Sequence, residues 1–206
     1  MTEPQNAGER LLDADHRVHK AVEQDRGSRL VKAMGTLSEI GDQPQMRLLC
    51  AGMIAAGLLR KDMRLLGAGA RMLLAHELAT AMKSAIKHRV DRRRPRSASG
   101  KAEEKPRSGS SSDKEESSFP SGHSAGAMSA AVAFSSAYPR YSVPALLTAS
   151  AVASAQVPRC AHYPTDVGAG LAIGAAAGGI VNGAWKLASA LIAVALKRRF
   201  SVPWSR

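Results

Sequence analysis

Residues 165–196 read TDVGAGLAIGAAAGGIVNGAWKLASALIAVAL, and their reading decides the fold class. Ala and Gly dominate, no apolar/polar alternation of period two appears, and Gly170, Gly174 and Gly178 recur at four-residue intervals along one helical face. Such a ridge of small residues lets a second helix approach closely in a membrane, although Ala/Gly-rich packing in a soluble bundle uses the same device. Segments 122–138 and 143–157 share this composition and are separated at Pro139-Arg140 and around Pro158 to Pro164. Across the chain, hydrophobic residues reach 45% while aromatics are only 4%, which predicts closely packed helices and no significant sheet. A length of 206 residues favours a single core.

Upstream, residues 48–59 (LLCAGMIAAGLL) lie between Arg47 and Arg60. Twelve apolar residues fall short of the roughly twenty that span a bilayer, so this is either a buried helix or the centre of a span whose arginines snorkel. A helix is predicted over about 63–87, where His76, Thr80, Lys83 and Lys87 form one stripe that faces either water or a polar cavity. The organisation expected is an amphipathic helical segment at 1–43, a helical core at 44–196 and a basic tail at 197–206. Within the core, the low-complexity stretch 97–118 reads as a mobile polar loop, having no apolar residue larger than Ala. The fold class is therefore all-α: a bundle of about five to six helices, membrane-embedded, with an active site at one end. A mean hydropathy of −0.16 is low for such a protein.

The net charge of +12 fits nucleic acid, an anionic membrane surface or an anionic substrate. Ten of the twenty-five residues at 83–107 are Lys or Arg, yet the stretch has no aromatic residue for base stacking and no nucleic-acid-binding pattern. Nucleic acid is not an expected partner. Cys50 and Cys160 show no CxxC spacing, the start of the chain has no secretory pattern, and no structural disulfide is expected.

Three clusters gather anion-binding or proton-transfer groups at predicted helix ends. In Lys87-His-Arg-Val-Asp-Arg-Arg-Arg94-Pro95, the proline redirects the chain after the basic run and leaves Lys87 and Arg94 at a helix mouth. The arginine fork suits phosphate oxygens and the lysine supplies a point charge. In Phe119-Pro120-Ser121-Gly122-His123, Gly122 permits close backbone approach at a helix start, and His123 in the first turn is placed to donate a proton to a leaving oxygen. In Arg159-Cys-Ala-His162-Tyr-Pro-Thr-Asp166, Pro164 starts a helix with Asp166 in its first turn, where the carboxylate can hold one imidazole nitrogen of His162 while the other faces substrate. The histidines also admit a zinc reading, but no HExxH, paired cysteines or carboxylate-rich site accompanies them, so no metal or other cofactor is expected.

Lys87 followed by six residues and Arg94-Pro95, then Pro120-Ser121-Gly122-His123, then His162 with Asp166 four residues on, resembles the three-part signature of the type 2 phosphatidic acid phosphatase family, which also contains bacterial acid phosphatases and vanadium haloperoxidases. The resemblance covers about residues 45–185. It implies that Lys87 and Arg94 clamp phosphoryl oxygens, that Ser121 and the Gly122 amide add hydrogen bonds, and that His162 attacks phosphorus to form a phosphohistidine. Asp166 would stabilise the imidazolium, and His123 would protonate the leaving group. Where the family's third motif begins Ser-Arg, this chain has Ala155 and Gln156. Arg159, three residues on, is the candidate to replace that cation.

The expected activity is thus metal-independent hydrolysis of a phosphomonoester or diphosphate, of a lipid such as phosphatidate or a polyprenyl phosphate, by a multi-pass membrane protein. A soluble acid phosphatase and a vanadate-dependent haloperoxidase are the alternatives on the same site; a basic anionic-surface or nucleic-acid binding protein is the remote one.

Overall fold

A computed structural model describes residues 7–200, with side chains through 197. Seven α-helices account for most of these residues: α1 (Ala7–Val22), α2 (Arg29–Ser38), α3 (Gln43–Arg60), α4 (Met63–Lys87), α5 (Gly122–Ala137), α6 (Ser142–Ser154) and α7 (Pro164–Phe200). The all-helical bundle expected from sequence is present. Helices α3 to α7 form it, α1 contacts the start of α7, and α2 rests on α6. Among the described residues, sheet is limited to a ladder of β1 (Val90–Asp91) against β2 (Arg107–Ser108) and an isolated bridge between Arg92 and Ser117. Of the tail, α7 takes in residues through Phe200, and 201–206 lie outside the described residues.

Local chemistry explains the helix ends. Asp62 caps α4 by accepting from the Arg64 and Leu65 amides at 2.9 and 3.0 Å, and Lys61 ends α3 in the left-handed region at φ 55°. Pro164 opens α7, where its missing N–H costs nothing. At the end remote from the site, Arg64 donates to the Ala137 carbonyl at 2.9 Å and lies 4.4 Å over the Tyr138 ring, closing α5 against α4.

Helix α5 is the centre of the bundle, packed against α4, α6 and α7. Its buried face is almost all Ala and Ser, and the glycine ridge of α7 lies directly on it. A Cβ built on Gly170 would fall 2.5 Å from the Ser121 carbonyl oxygen, and one on Gly178 would fall 2.7 Å from Val132 Cβ. The ridge thus serves the α5–α7 contact. Gly57 and Gly69 play the corresponding part between α3 and α4, against Leu66 and Ile54. Backbone-to-backbone packing of this kind carries the N-terminal ends of α5 and α7 and the C-terminal end of α4 to one pole, where the three sequence clusters meet.

Residues 97–118, read from composition as a mobile loop, carry β2, a helical turn at Lys114–Glu116 and a set of ion pairs. Arg96 pairs with Glu115, Arg93 with Glu103 at 3.0 Å and Arg107 with Glu116 at 2.7 Å. Charge does here what apolar side chains do elsewhere. The loop crosses the pole and delivers Lys114 to its cavity.

Candidate active site

A cavity of about 220 Å³ opens at this pole, lined by Lys83, Lys87, Arg94, Arg96, Lys114 and Arg159, with Asp42, Gly122, His123, Gln156, Ala161 and His162. Six cations face a single carboxylate, so the cavity favours an anion. Lys87 ends α4 and donates its ammonium to the Ser117 carbonyl. Arg94 donates Nε to the Lys114 carbonyl at 2.9 Å and Nη1 to the Ala161 carbonyl at 3.4 Å, which fixes the plane of the guanidinium against the cavity. Burial lowers the pKa of Arg94 from its ordinary value, yet arginine remains cationic at neutral pH.

His162 is buried, with Nδ1 at 2.7 Å from the Ser118 carbonyl oxygen. A carbonyl only accepts, so Nδ1 carries the proton and Nε2 is left with its lone pair toward the cavity. Burial holds the imidazole below its ordinary pKa, with the charges of Arg94 and Lys87 acting the same way and Asp166 opposing them. Asp166 does not make the closest contact expected of it: its Oδ2 lies 3.7 Å from Nδ1 and instead accepts from Ser118 Oγ at 2.5 Å and the Tyr163 amide at 2.9 Å. Its charge is beside the ring, while the Ser118 carbonyl sets the tautomer.

Of the other residues singled out in the sequence, Lys87, Arg94, Gly122, His123, His162 and Arg159 line the cavity. Ser121 does not. It is fully buried, and its Oγ caps α5, lying 3.4 Å from the Ser124 amide and accepting from Ser124 Oγ at 2.8 Å. An N-cap serine and a phosphate-binding serine look alike in sequence. Arg159 lines the outer wall, but its guanidinium is drawn to α2, donating to Ser38 Oγ at 2.9 Å with Glu39 4.0 Å away. The Gln156 side chain, just past the end of α6, donates back to the Val152 carbonyl of that helix at 3.1 Å.

Three groups were not singled out as site residues in the sequence, although Lys83 belongs to the polar stripe on α4. Lys83 lies one helical turn before Lys87, and a Cβ on Gly122 would sit 3.3 Å from its Nζ, so the ammonium stands at the start of α5. Half of the polar stripe on α4 therefore faces the cavity, whereas His76 is buried inside the bundle. Asp42, the cap of α3, supplies the one carboxylate of the cavity wall. Arg92, hidden in a run of four basic-run neighbours, is 1% exposed and donates to Asp166 Oδ1 at 2.6 Å.

The PAP2 superfamily model matches residues 68–197, which contain all three clusters. The chain belongs to the PAP2 superfamily. No curated protein matches this PAP2 chain. Among solved structures, it is similar to the crystal structure of a transmembrane PAP2-type phosphatidylglycerolphosphate phosphatase from Bacillus subtilis, with a TM-score of 0.60 and 22% identity over 84% of this chain and 85% of the other. At that identity the likeness is one of fold.

Proposed function

We propose that this PAP2 protein is an integral membrane phosphatase that removes phosphate from a lipid phosphomonoester or diphosphate through a phosphohistidine, without a metal. The observation that carries the reading is the orientation of His162: Nδ1 is committed to the Ser118 carbonyl and Nε2 is aimed into a cavity walled by six cations. In this reading the Nε2 lone pair attacks phosphorus in line, the P–O bond to the leaving group breaks, and His123 gives its proton to the departing oxygen. His123 then accepts a proton from a water molecule, whose oxygen attacks phosphorus. The P–N bond breaks and returns its electron pair to Nε2. Lys87, Arg94 and the Gly122 amide hold the equatorial oxygens, where charge accumulates. Six cations against Asp42 make a poor seat for a divalent ion, and their charge does what a metal would do.

An apolar groove of about 300 Å³ supports a lipid substrate. It runs between α3, α5 and α6 past Met46, Met53, Phe134 and Ala149, and its Ala127 and Val152 lie one helical turn from His123 and Gln156 of the cavity. The outer surface adds Leu58, Leu59, Leu147, Ile180, Leu187 and Leu191, all more than half exposed, an apolar coat that water would not tolerate well. Among the described residues one helix, Pro164–Lys197, is long and apolar enough by itself to cross a bilayer. The test is phosphate release from a panel of lipid phosphates in detergent with EDTA. Release from lipids that EDTA leaves intact is the expected result. Equal turnover of small water-soluble phosphomonoesters would point to an acid phosphatase, and vanadate-dependent halide oxidation without phosphate release would point to a haloperoxidase.

Lys83 is the residue proposed here for the third cation, since Gln156 is neutral and Arg159 is engaged with α2. Lys83→Met is expected to lower kcat/KM by about 10- to 100-fold, the effect of losing one charge-assisted clamp. Steady-state kinetics of Lys83→Met beside Arg159→Ala decide it: a larger loss in the arginine variant would return the role to Arg159.

A further inference from the structure

Behind His162 lies a fully buried charge cluster that continues from Asp166 to α1. Arg92 donates Nη1 to Asp166 Oδ1 at 2.6 Å and Nη2 to Asp15 Oδ2 at 2.7 Å, with side-chain exposures of 1% for Arg92, 0% for Asp166 and 1% for Asp15. Its Nε donates to the Glu104 carbonyl at 2.8 Å, and its guanidinium stacks 3.9 Å from the centre of the Tyr163 ring. Asp15 belongs to α1, outside the segment that matches the PAP2 superfamily, and its Oδ1 accepts from the Thr165 amide at the start of α7 at 3.0 Å. We propose that Asp15 is a positioning residue for the catalytic histidine, acting through Arg92 and Asp166, so that the docking of α1 sets the reactivity of the site.

The reason is a count of charge. Arg92 with Asp166 alone is neutral, and the imidazole of His162, which becomes cationic as its Nε2 bonds to phosphorus, would face no net negative charge from behind while Lys87 and Arg94 stand in front. Asp15 adds the second carboxylate. The buried cluster then carries one net negative charge, and because Arg92 is shared, Asp166 keeps more of its own charge for the ring. The fork of Arg92, held at both ends and at Nε, also fixes where Asp166 sits. The inference rests on the phosphohistidine reading proposed above.

A second tether of α1 provides the control. His16 and His19 hold Glu104 at 3.0 and 3.2 Å, so Glu104→Gln loosens the same helix without removing a partner of Arg92, whose bond is to the Glu104 backbone. In the full-length protein, Asp15→Asn is expected to lower kcat about tenfold or more with KM within about twofold, the size of one buried charge removed behind the ring. Glu104→Gln is expected to lose melting temperature but keep kcat within about twofold. The His162 ring, followed by NMR, is expected to titrate about one unit lower in Asp15→Asn than in wild type, among the titratable and charged groups of the site: Asp166, His123, Lys87, Arg94 and Arg159. Should the asparagine variant not fold, Asp15→Ser keeps a cap for Thr165 while dropping the charge and reads the same two quantities. Unchanged kcat and an unmoved titration overturn the proposal, as does an equal kcat loss in Glu104→Gln. If the wild-type protein releases no phosphate, the phosphatase reading fails, and the titration still decides whether Asp15 governs His162.

Discussion

His162→Asn is expected to lower phosphate release by about 10⁴-fold or more while leaving the bundle folded. Asparagine is close in size to the imidazole and its amide can still donate to the Ser118 carbonyl, which His162 Nδ1 meets at 2.7 Å. What it lacks is a nucleophile toward the cavity. The remaining cations would still bind the substrate, so the loss should appear in kcat rather than KM. Labelling with a ³²P-lipid and rapid quenching gives the covalent check: a phosphoenzyme stable to alkali and labile to acid in wild type, absent in His162→Asn. Turnover within about tenfold of wild type would place the covalent step elsewhere or remove it.

The largest effect on stability is expected at Gly174. A Cβ there would press into the Ala125 carbonyl oxygen and stand 2.8 Å from Met128 Cβ and 3.0 Å from the Ser129 amide nitrogen. Two of those three atoms are α5 backbone, so no rotamer relieves the clash and the helices must separate. Gly174→Ala is therefore expected to cost about 3 kcal/mol or more, at the upper end of overpacking. Gly183 on the same helix has nothing within 4 Å of the corresponding position. Gly183→Ala should be neutral or stabilise by up to about 1 kcal/mol through helix propensity. Thermal melting of both variants in one detergent tests the pair, and equal melting would mean that the α5–α7 contact is not as close as described.

The glycine ridge was legible in sequence because a four-residue period is a local property, and Lys87, Arg94, Gly122, His123 and His162 stood out for a like reason, as members of short clusters, whereas Asp42, Arg96 and Lys114 reach the cavity only through the fold. The ridge's partner was not legible, since any Ala-rich helix would serve. Ser121 shows the converse difficulty, as capping and anion binding draw on the same hydroxyl at the same helix start. Arg92 could not be told from Arg93 beside it: one is buried among carboxylates and the other pairs with Glu103 at the surface, and only the fold distinguishes them. Asp15 lies 77 residues from Arg92, a pairing no local pattern encodes. Residues 97–118 have the composition of a free loop, and composition alone does not show that Glu103 and Glu115 pair with Arg93 and Arg96 of the basic run that precedes them.

The bundle's helices differ widely in length. At 1.5 Å per residue, α5 and α6, with 16 and 13 residues, span about 24 and 20 Å, and α7, with 37, about 55 Å. A bilayer's hydrocarbon core is about 30 Å thick. In a bilayer, lipid would meet α6, whose Val143 and Leu147 are exposed, and would have to thin beside it; the dimple so formed would lower headgroups toward the cavity rather than require the enzyme to lift a substrate out. Catalytic rate would then depend on the acyl length of the surrounding, non-substrate lipid. Reconstitution in a series of phosphatidylcholines should show faster turnover in thinner bilayers, and a flat profile would leave the mismatch without consequence.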